Sequence, residues 1–255
     1  MRGSRMHLLG VLVVLAAALV LVSPSYAYKQ DLNQTYPLEP GGSIELQNVN
    51  GSVEVNGWDR NEVEVRAVKT AHSREADLDR VSIEVTAKPS AIAVTTRYPQ
   101  DQGVEVSVEY AIHVPHKAKL KLIGTVNGTL RISGVESIGE LRTVNGNIEV
   151  YDSAGQVAAH ATNGNVHLEL NRLEAAGAAT AETTNGSIVL AIPLGSHADL
   201  EARCMNGDFR SELPVSLEGS LRPREVRGKI GGGGSAIRLR TVNGGIRVVV
   251  LRSTV

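Results

Sequence analysis

The dipeptide Asn-Gly recurs along this chain, and its recurrence restricts the possible folds more than any other feature. It stands at Asn50-Gly51, Asn127-Gly128, Asn145-Gly146, Asn163-Gly164, Asn185-Gly186, Asn206-Gly207 and Asn243-Gly244. From Asn127 onward the spacings are 18, 18, 22, 21 and 37 residues. The last gap spans about two repeats, and Val226-Arg227-Gly228-Lys229-Ile230 inside it reads as a degenerate unit. Self-similarity at such a period marks a stacked repeat architecture. Gly takes positive φ freely and Asn tolerates it, so the pair can turn the chain within two residues. On that reading Gly146→Val or Gly164→Val costs more than about 1 kcal/mol through backbone strain.

Around each corner the apolar residues alternate. In the Asn145 unit Leu141, Thr143, Ile148 and Val150 share one face, while Arg142, Val144, Asn147 and Glu149 take the other. The inward register recurs at Ala159, Ala161, Val166 and Leu168, at Ala181, Thr183, Ile188 and Leu190, and at Leu239, Thr241, Ile246 and Val248. A period of two is the mark of half-buried strands. The fold is therefore all-β. Two architectures share this register: a β-solenoid, right-handed and β-helix-like, and an antiparallel β-meander of Asn-Gly hairpins. Thr stands two residues before Asn in four of the seven units, and a column of Thr makes sense if rungs stack. The solenoid is the preferred reading and the meander its alternative.

Residues 28–118 read as an N-terminal antiparallel strand region and 119–255 as the Asn-Gly repeat region. Val63, Val65 and Ala67 alternate with charged residues, as do Val104, Val106, Val108, Tyr110 and Ile112 with mostly polar ones. Asn56-Gly57-Trp58-Asp59 reads as a turn joining the strand Ser52–Val55 to the strand Glu62–Lys69. This region is expected to cover one end of the stack, because a bare end would invite edge pairing.

Residues 1–27 have the layout of a secretory signal peptide. Arg2 and Arg5 precede a 15-residue apolar run, Leu8 to Val22, and Ser25-Tyr26-Ala27 follows. The run is short for a membrane span, which needs about 20 residues, so a cleaved signal peptide is the preferred reading and an uncleaved N-terminal anchor its alternative. Cleavage after Ala27 would leave 24 basic residues against 27 acidic ones. An exported chain could form disulfides, but Cys204 is the only cysteine. Stability must come from packing and backbone pairing. The expected location is the periplasm, the cell surface or the medium.

The stretch YAIHVPHKAKLKLIGTVNGTLRISGVESIGELRTVNGNIEV (residues 110–150), with NGSVEVNGWDRNEVEVRA before it, resembles the bacterial "putative adhesin" family of β-strand-repeat domains of unknown function. The likeness covers about residues 36–250 as one continuous domain. It rests on a strand ending in Val114-Pro115 and the succession of TVNG units after it. The resemblance implies an extended right-handed β-helix-like fold at the cell envelope, with no known catalytic residues. The CMNGDFRS unit departs from the pattern by placing Cys204 where Thr usually stands.

No group reads as an active centre. Zinc wants three or four converging ligands. His113 and His116, and His160 and His167, lie in separate segments and read as surface residues. Cys204 is on the inward register and reads as a small buried hydrophobe. Glycoside hydrolysis needs two facing carboxylates. Among the outward positions beside the corners, the acids Glu149 and Glu182 stand in different units. The Gly231–Gly234 run lacks the Lys-Ser/Thr of a phosphate loop and reads as a link between rungs. No catalytic residue, cofactor or metal is expected. From Ser220 to Val255 there are eight basic residues and one acidic, Glu225. Arg222, Arg224, Arg227, Lys229, Arg238, Arg240 and Arg247 are the candidate anion-binding residues of this end. The expected partners are anionic envelope lipid or polysaccharide, with a protein partner in the envelope as a further option and no nucleic acid. The leading function is a non-enzymatic envelope protein, adhesin-like or surface-binding. The alternatives are a ligand-sensing module of envelope-stress signalling and a polysaccharide-acting β-helix enzyme. The rival reading of the basic end is a solvated cap that keeps stacks from joining end to end.

Overall fold

A computed structural model describes residues 27–100, 103–173, 178–217 and 224–252. Residues 1–26, with almost all of the signal segment, lie outside the described residues, as does Arg222. In chain order the strands are β1 Tyr28–Pro37, β2 Ser43–Gln47, β3 Val53–Trp58, β4 Glu62–Ala71, β5 Ser82–Lys88, β6 Ala91–Arg97 and β7 Val106–Pro115. Next come β8 Lys119–Asn127, β9 Leu130–Ser133, β10 Ser137–Asn145, β11 Ile148–Ala154, β12 Val157–Asn163, β13 Val166–Arg172, β14 Ala178–Asn185 and β15 Ile188–Ile192. The chain closes with β16 Ala198–Asn206, β17 Phe209–Ser211, β18 Ser216–Leu217, β19 Glu225–Ile230, β20 Ser235–Asn243 and β21 Ile246–Val250. One 3-10 turn, Glu75–Arg80, joins β4 to β5. Among the described residues no helix is long and apolar enough to cross a membrane.

The strands form two sheets. Sheet I runs β1-β4-β7-β3-β9-β11-β13-β15-β21-β17, and sheet II runs β18-β19-β16-β20-β14-β12-β10-β8-β2-β6-β5. Each Asn-Gly corner carries the chain from sheet II to sheet I, so one unit gives one rung. Successive rungs pair in parallel, with Asn145 opposite both Asn127 and Asn163. A meander would pair each strand antiparallel with the next one in the chain, across its corner. Here like strands of successive units pair in parallel instead, and the solenoid-like stack is the architecture found. Every inward residue named above is buried, and the inner faces of both sheets share one core of Val, Ile, Leu and Ala.

The corners show why Asn, Gly and Thr recur together. The Asn side chains form a ladder in which the Nδ2 of every corner Asn but Asn50 donates to the Oδ1 of a neighbouring rung at 2.7–2.9 Å. The buried Thr hydroxyls donate to the Gly carbonyl of the adjacent rung: Thr143 to Gly128 at 3.0 Å, Thr183 to Gly164 and Thr241 to Gly186 at 2.8 Å. Asn48 takes the Thr position of its rung and donates to the carbonyls of Gly51 and Val108. These bonds satisfy backbone groups that the corner removes from the strand ladder.

The role of Gly differs from the expectation. Gly51, Gly146, Gly207 and Gly244 have φ between +121° and +159°, but Gly128, Gly164 and Gly186 do not fall in that region. Close approach is the shared requirement. A Cβ on Gly164 would lie 1.8 Å from the Gly146 carbonyl oxygen, and one on Gly186 would lie 2.0 Å from that of Gly164.

Three sequence readings need correction. First, Val226–Ile230 is no rung. It belongs to β19, which pairs antiparallel with β16. The two-residue alternation is the same for either strand direction, so the sequence could not separate them. Second, the Asn243 unit is not the end of the stack. β20 lies between β14 and β16, and β21 between β15 and β17, so the rungs follow the order 185, 243, 206. The chain builds the terminal rung, returns along β19, and inserts its last unit behind it. Gly231–Gly234, all at positive φ, make the reversal. Third, Asn56-Gly57 lies within β3, and β3 does not pair with β4. β7 sits between them, parallel to β3 and antiparallel to β4. Gly57 is needed there because a Cβ would meet the Gly134 carbonyl at 1.9 Å.

β2 and β3, from the segment read as N-terminal, flank the Asn50 corner and stack on the Asn127 rung. β6 and β7 pair in parallel beyond them. Antiparallel β5, β4 and β1 finish the two sheets at that end.

Candidate interaction surfaces

The outward side chains of each sheet fall into rows, because the parallel strands are in register. Across sheet I one row runs Arg66, Ala111, Glu54, Arg131, Glu149, His167, Val189, Arg247 and Arg210. Arg131 is the centre of an ion pair, with Nη2 2.7 Å and Nε 3.0 Å from Glu149 Oε2. That hydrogen bond holds the Arg131 pKa above its usual value. Ala111 leaves a shallow depression walled by Arg66, Glu54, Glu109 and Arg131. Its charges are of both signs, which gives no preference for an anion or a cation.

The basic end is divided by the last corner. β19 and β20 place Arg227, Lys229, Arg238 and Arg240 on sheet II, and Arg224 stands just before β19. β21 places Arg247 on sheet I. Arg240 and Arg247 precede and follow the Asn243 corner, so they face opposite sides of the molecule. Arg227 is held by Glu225 and by Glu201 at 3.4 Å. Arg203, which the sequence reading did not single out, bridges Glu201 at 2.7 Å and Glu225 at 3.2 Å. Burial pushes the Glu225 carboxyl up, but Arg227 and Arg203 outweigh it and hold its pKa low. Arg238 and Arg240 are exposed and have no ion pair or side-chain hydrogen bond among the described residues. In register, Arg238 lies between Thr180 and Glu201, the latter already engaged, and Arg240 lies between Glu182, which faces His160, and Arg203. Arg238 and Arg240 thus present two free guanidinium groups two residues apart on one strand, and Arg224 is likewise exposed.

The histidines are dispersed. His113 stacks on Trp58 at 5.1 Å, with Nδ1 3.2 Å from Glu64, and Arg60 lies over the Trp58 ring at 4.8 Å. His116 bonds the Gly134 carbonyl. His160 on sheet II lies 3.4 Å from Glu182, and His167 on sheet I lies 2.8 Å from Glu169. No group of three or more His, Cys, Asp or Glu able to hold a metal occurs among the described residues. Cys204 is buried at 5% exposure, its Sγ 3.7 Å from the Asp208 carbonyl. Burial pushes its thiol pKa up, which makes it a poorer nucleophile.

The corner edge is a third surface. Beside the Asn ladder runs an outward column of Val49, Val126, Val144, Thr162, Thr184, Val242 and Met205, one from each rung in spatial order. The outward register of Val144 was legible in the alternation; its alignment into a column depends on parallel stacking.

The sequence profile of the Toastrack DUF4097 family matches residues 29–249. No curated protein matches the chain. Among solved structures, the "putative cell adhesion protein" from Clostridium sporogenes ATCC 15579 is similar at 13% identity and a TM-score of 0.54, covering 87% of this chain and all of its own. A "putative adhesin" from Bacteroides fragilis NCTC 9343 aligns over 87% of this chain and 97% of its own, at 13% identity and a TM-score of 0.30.

Proposed function

The chain belongs to the Toastrack DUF4097 family, and from that membership and its surfaces we propose that it is a non-enzymatic, exported envelope protein that works by binding through a stiff β-surface. The observation that carries this reading is the pair Arg238 and Arg240. Both are free of partners among the described residues, and both project from a strand paired on each side. Side chains on such a scaffold lose little backbone freedom when they bind. Clustered guanidinium groups attract anions and hydrogen-bond phosphate or carboxylate oxygens. Anionic lipid headgroups and acidic polysaccharides share that chemistry, and both occur at the cell envelope. The name of the Clostridium sporogenes structure, cell adhesion, accords with a surface role. The N-terminal 27 residues supply the export signal in this reading.

The test is cosedimentation with phosphatidylglycerol vesicles, with phosphatidylcholine vesicles and with alginate, each at low and high salt. Binding to an anionic target is expected, weakening as the Debye length shrinks to about 8 Å and below. Arg238→Glu with Arg240→Glu is expected to weaken it at least tenfold, whereas Arg247→Glu, on the opposite face, leaves it unchanged. Vesicle and alginate arms separate the two sources of the anion. Absence of binding at low salt, or equal binding by the double variant, would leave the end as a solvated cap.

A further inference from the structure

The corner edge differs in chemistry from both sheet faces. Its seven rungs contribute 28 residues, from the position before each Asn to the second residue after it, and Asp208 is the only charged one. At the chain's 21% charged content, 28 positions would carry about six charges. The faces are laced with ion pairs while this edge has almost none. Six large hydrophobic residues are exposed among the described residues, and three of them stand in the one column: Val126 at 38%, Val144 at 41% and Met205 at 47%. The corner needs its Asn, Gly and buried Thr for the bonds described above. Nothing in that bonding requires an apolar residue between Thr and Asn on the solvent side.

The Asn amides are exposed at six of the seven rungs. Each interior ladder amide spends one N–H and one lone pair on its neighbours and keeps a second of each for solvent or ligand. The edge is therefore a straight strip of primary amides beside a stripe of Val, Thr and Met. It repeats every ~4.8 Å over roughly 29 Å.

We propose that this strip binds a neutral, extended β-1,4-linked N-acetylhexosamine chain. Such a polymer advances by a closely similar step per sugar. Its acetamido groups recur on one side at every second sugar, hence at every second rung. Each carries the same amide donor and acceptor as an Asn side chain, so it can continue the amide bonding outward from the ladder. The apolar C–H face of the sugars would pack on the Val and Thr column, where single residues are too small to hold a compact ligand but a column can hold a linear one. A neutral partner suits a surface with one charge, because nothing there would offset the desolvation of an ion. This site is separate from Arg238 and Arg240 and does not depend on them.

The probe is the β-1,4-linked N-acetylglucosamine hexasaccharide, titrated by calorimetry and by amide chemical-shift mapping. We expect salt-insensitive binding, with shifts at Val126, Val144, Thr162, Thr184 and Val242. Val144→Glu with Thr184→Glu, both at exposed positions, is expected to weaken binding at least tenfold with the thermal midpoint held. Arg238→Glu with Arg240→Glu should leave it unchanged, so failure of the arginine reading and of this one are told apart. No binding, shifts confined to other residues, or equal binding by the Val144/Thr184 variant would overturn the proposal. Cellohexaose, which lacks acetamido groups, binding as tightly would overturn the assignment of the sugar. Self-association abolished by the same variant would show that a second copy occupies the strip.

Discussion

Gly164→Ala is expected to destabilise the protein by about 3 kcal/mol or more, and Gly164→Val by little beyond that. The first added carbon does the damage. A Cβ at Gly164 would stand 1.8 Å from the Gly146 carbonyl oxygen, and the obstructing atom is backbone. Relief requires the two rungs to part at their corner. That would strain the Asn145–Asn163 and Asn163–Asn185 amide bonds, the Gly164 N–H to Asn185 bond and the Thr183 bond to the Gly164 carbonyl. If positive φ were the reason for Gly, Gly164 would tolerate replacement, since its φ lies outside that region. Equilibrium denaturation of both variants checks this. An unchanged midpoint for Gly164→Ala would mean that the rungs are spaced more loosely than the ladder requires.

The second large effect is expected from ending the chain after Gly234. That removes β20 and β21, and with them Ile237, Leu239, Ile246 and Val248, all at most 1% exposed. Burial of a large aliphatic side chain contributes roughly 1.5–3 kcal/mol, so four of them together approach the whole stability of a typical domain. In a simple repeat array, trimming the last unit shortens the stack by one rung. Here the last unit is internal. Its loss strips β16 of its parallel partner and leaves β17 with no strand beside it. Limited proteolysis should then cleave within β16, Ala198–Asn206, while the intact chain resists there. Protection of that segment in the truncated protein would show that the Asn206 rung can dock directly on the Asn185 rung.

That possibility explains why the order of the rungs could not be read from the sequence. The alternation at Leu141, Thr143, Ile148 and Val150, and its copies in other units, was enough for strands, inward faces and corners. The recurrent Thr favoured stacking, and its bonds to the Gly carbonyls supply the reason. Every corner, however, offers the same Asn amide and Gly carbonyl. The Asn185 corner would accept the Asn206 corner as well as it accepts Asn243, so like units carry no label for their neighbour. The choice depends on β19, whose antiparallel pairing with β16 covers the outer edge, and on the Gly231–Gly234 reversal. Those are non-local features. The basic end illustrates the same limit. Arg240 and Arg247 are close in sequence, but the corner between them sends them to opposite sheets. The bridge from Arg203 to Glu225 joins residues 22 apart, so neither its existence nor the freedom of Arg238 and Arg240 was visible in the charge count.

Each surface described here depends on the rung order 50, 127, 145, 163, 185, 243, 206, because the order decides which side chains become neighbours in a column. The direct measurement is oxidative cross-linking in a Cys204→Ser background. Thr184→Cys with Val242→Cys places two thiols on adjacent rungs, within the ~4.4–6.8 Å Cα separation that a disulfide accepts. Thr184→Cys with Met205→Cys places them two rungs apart, about 9.6 Å by strand spacing. That order predicts rapid disulfide formation in the first pair and none in the second. Cross-linking of Thr184→Cys to Met205→Cys, with the first pair unreacted, would contradict it.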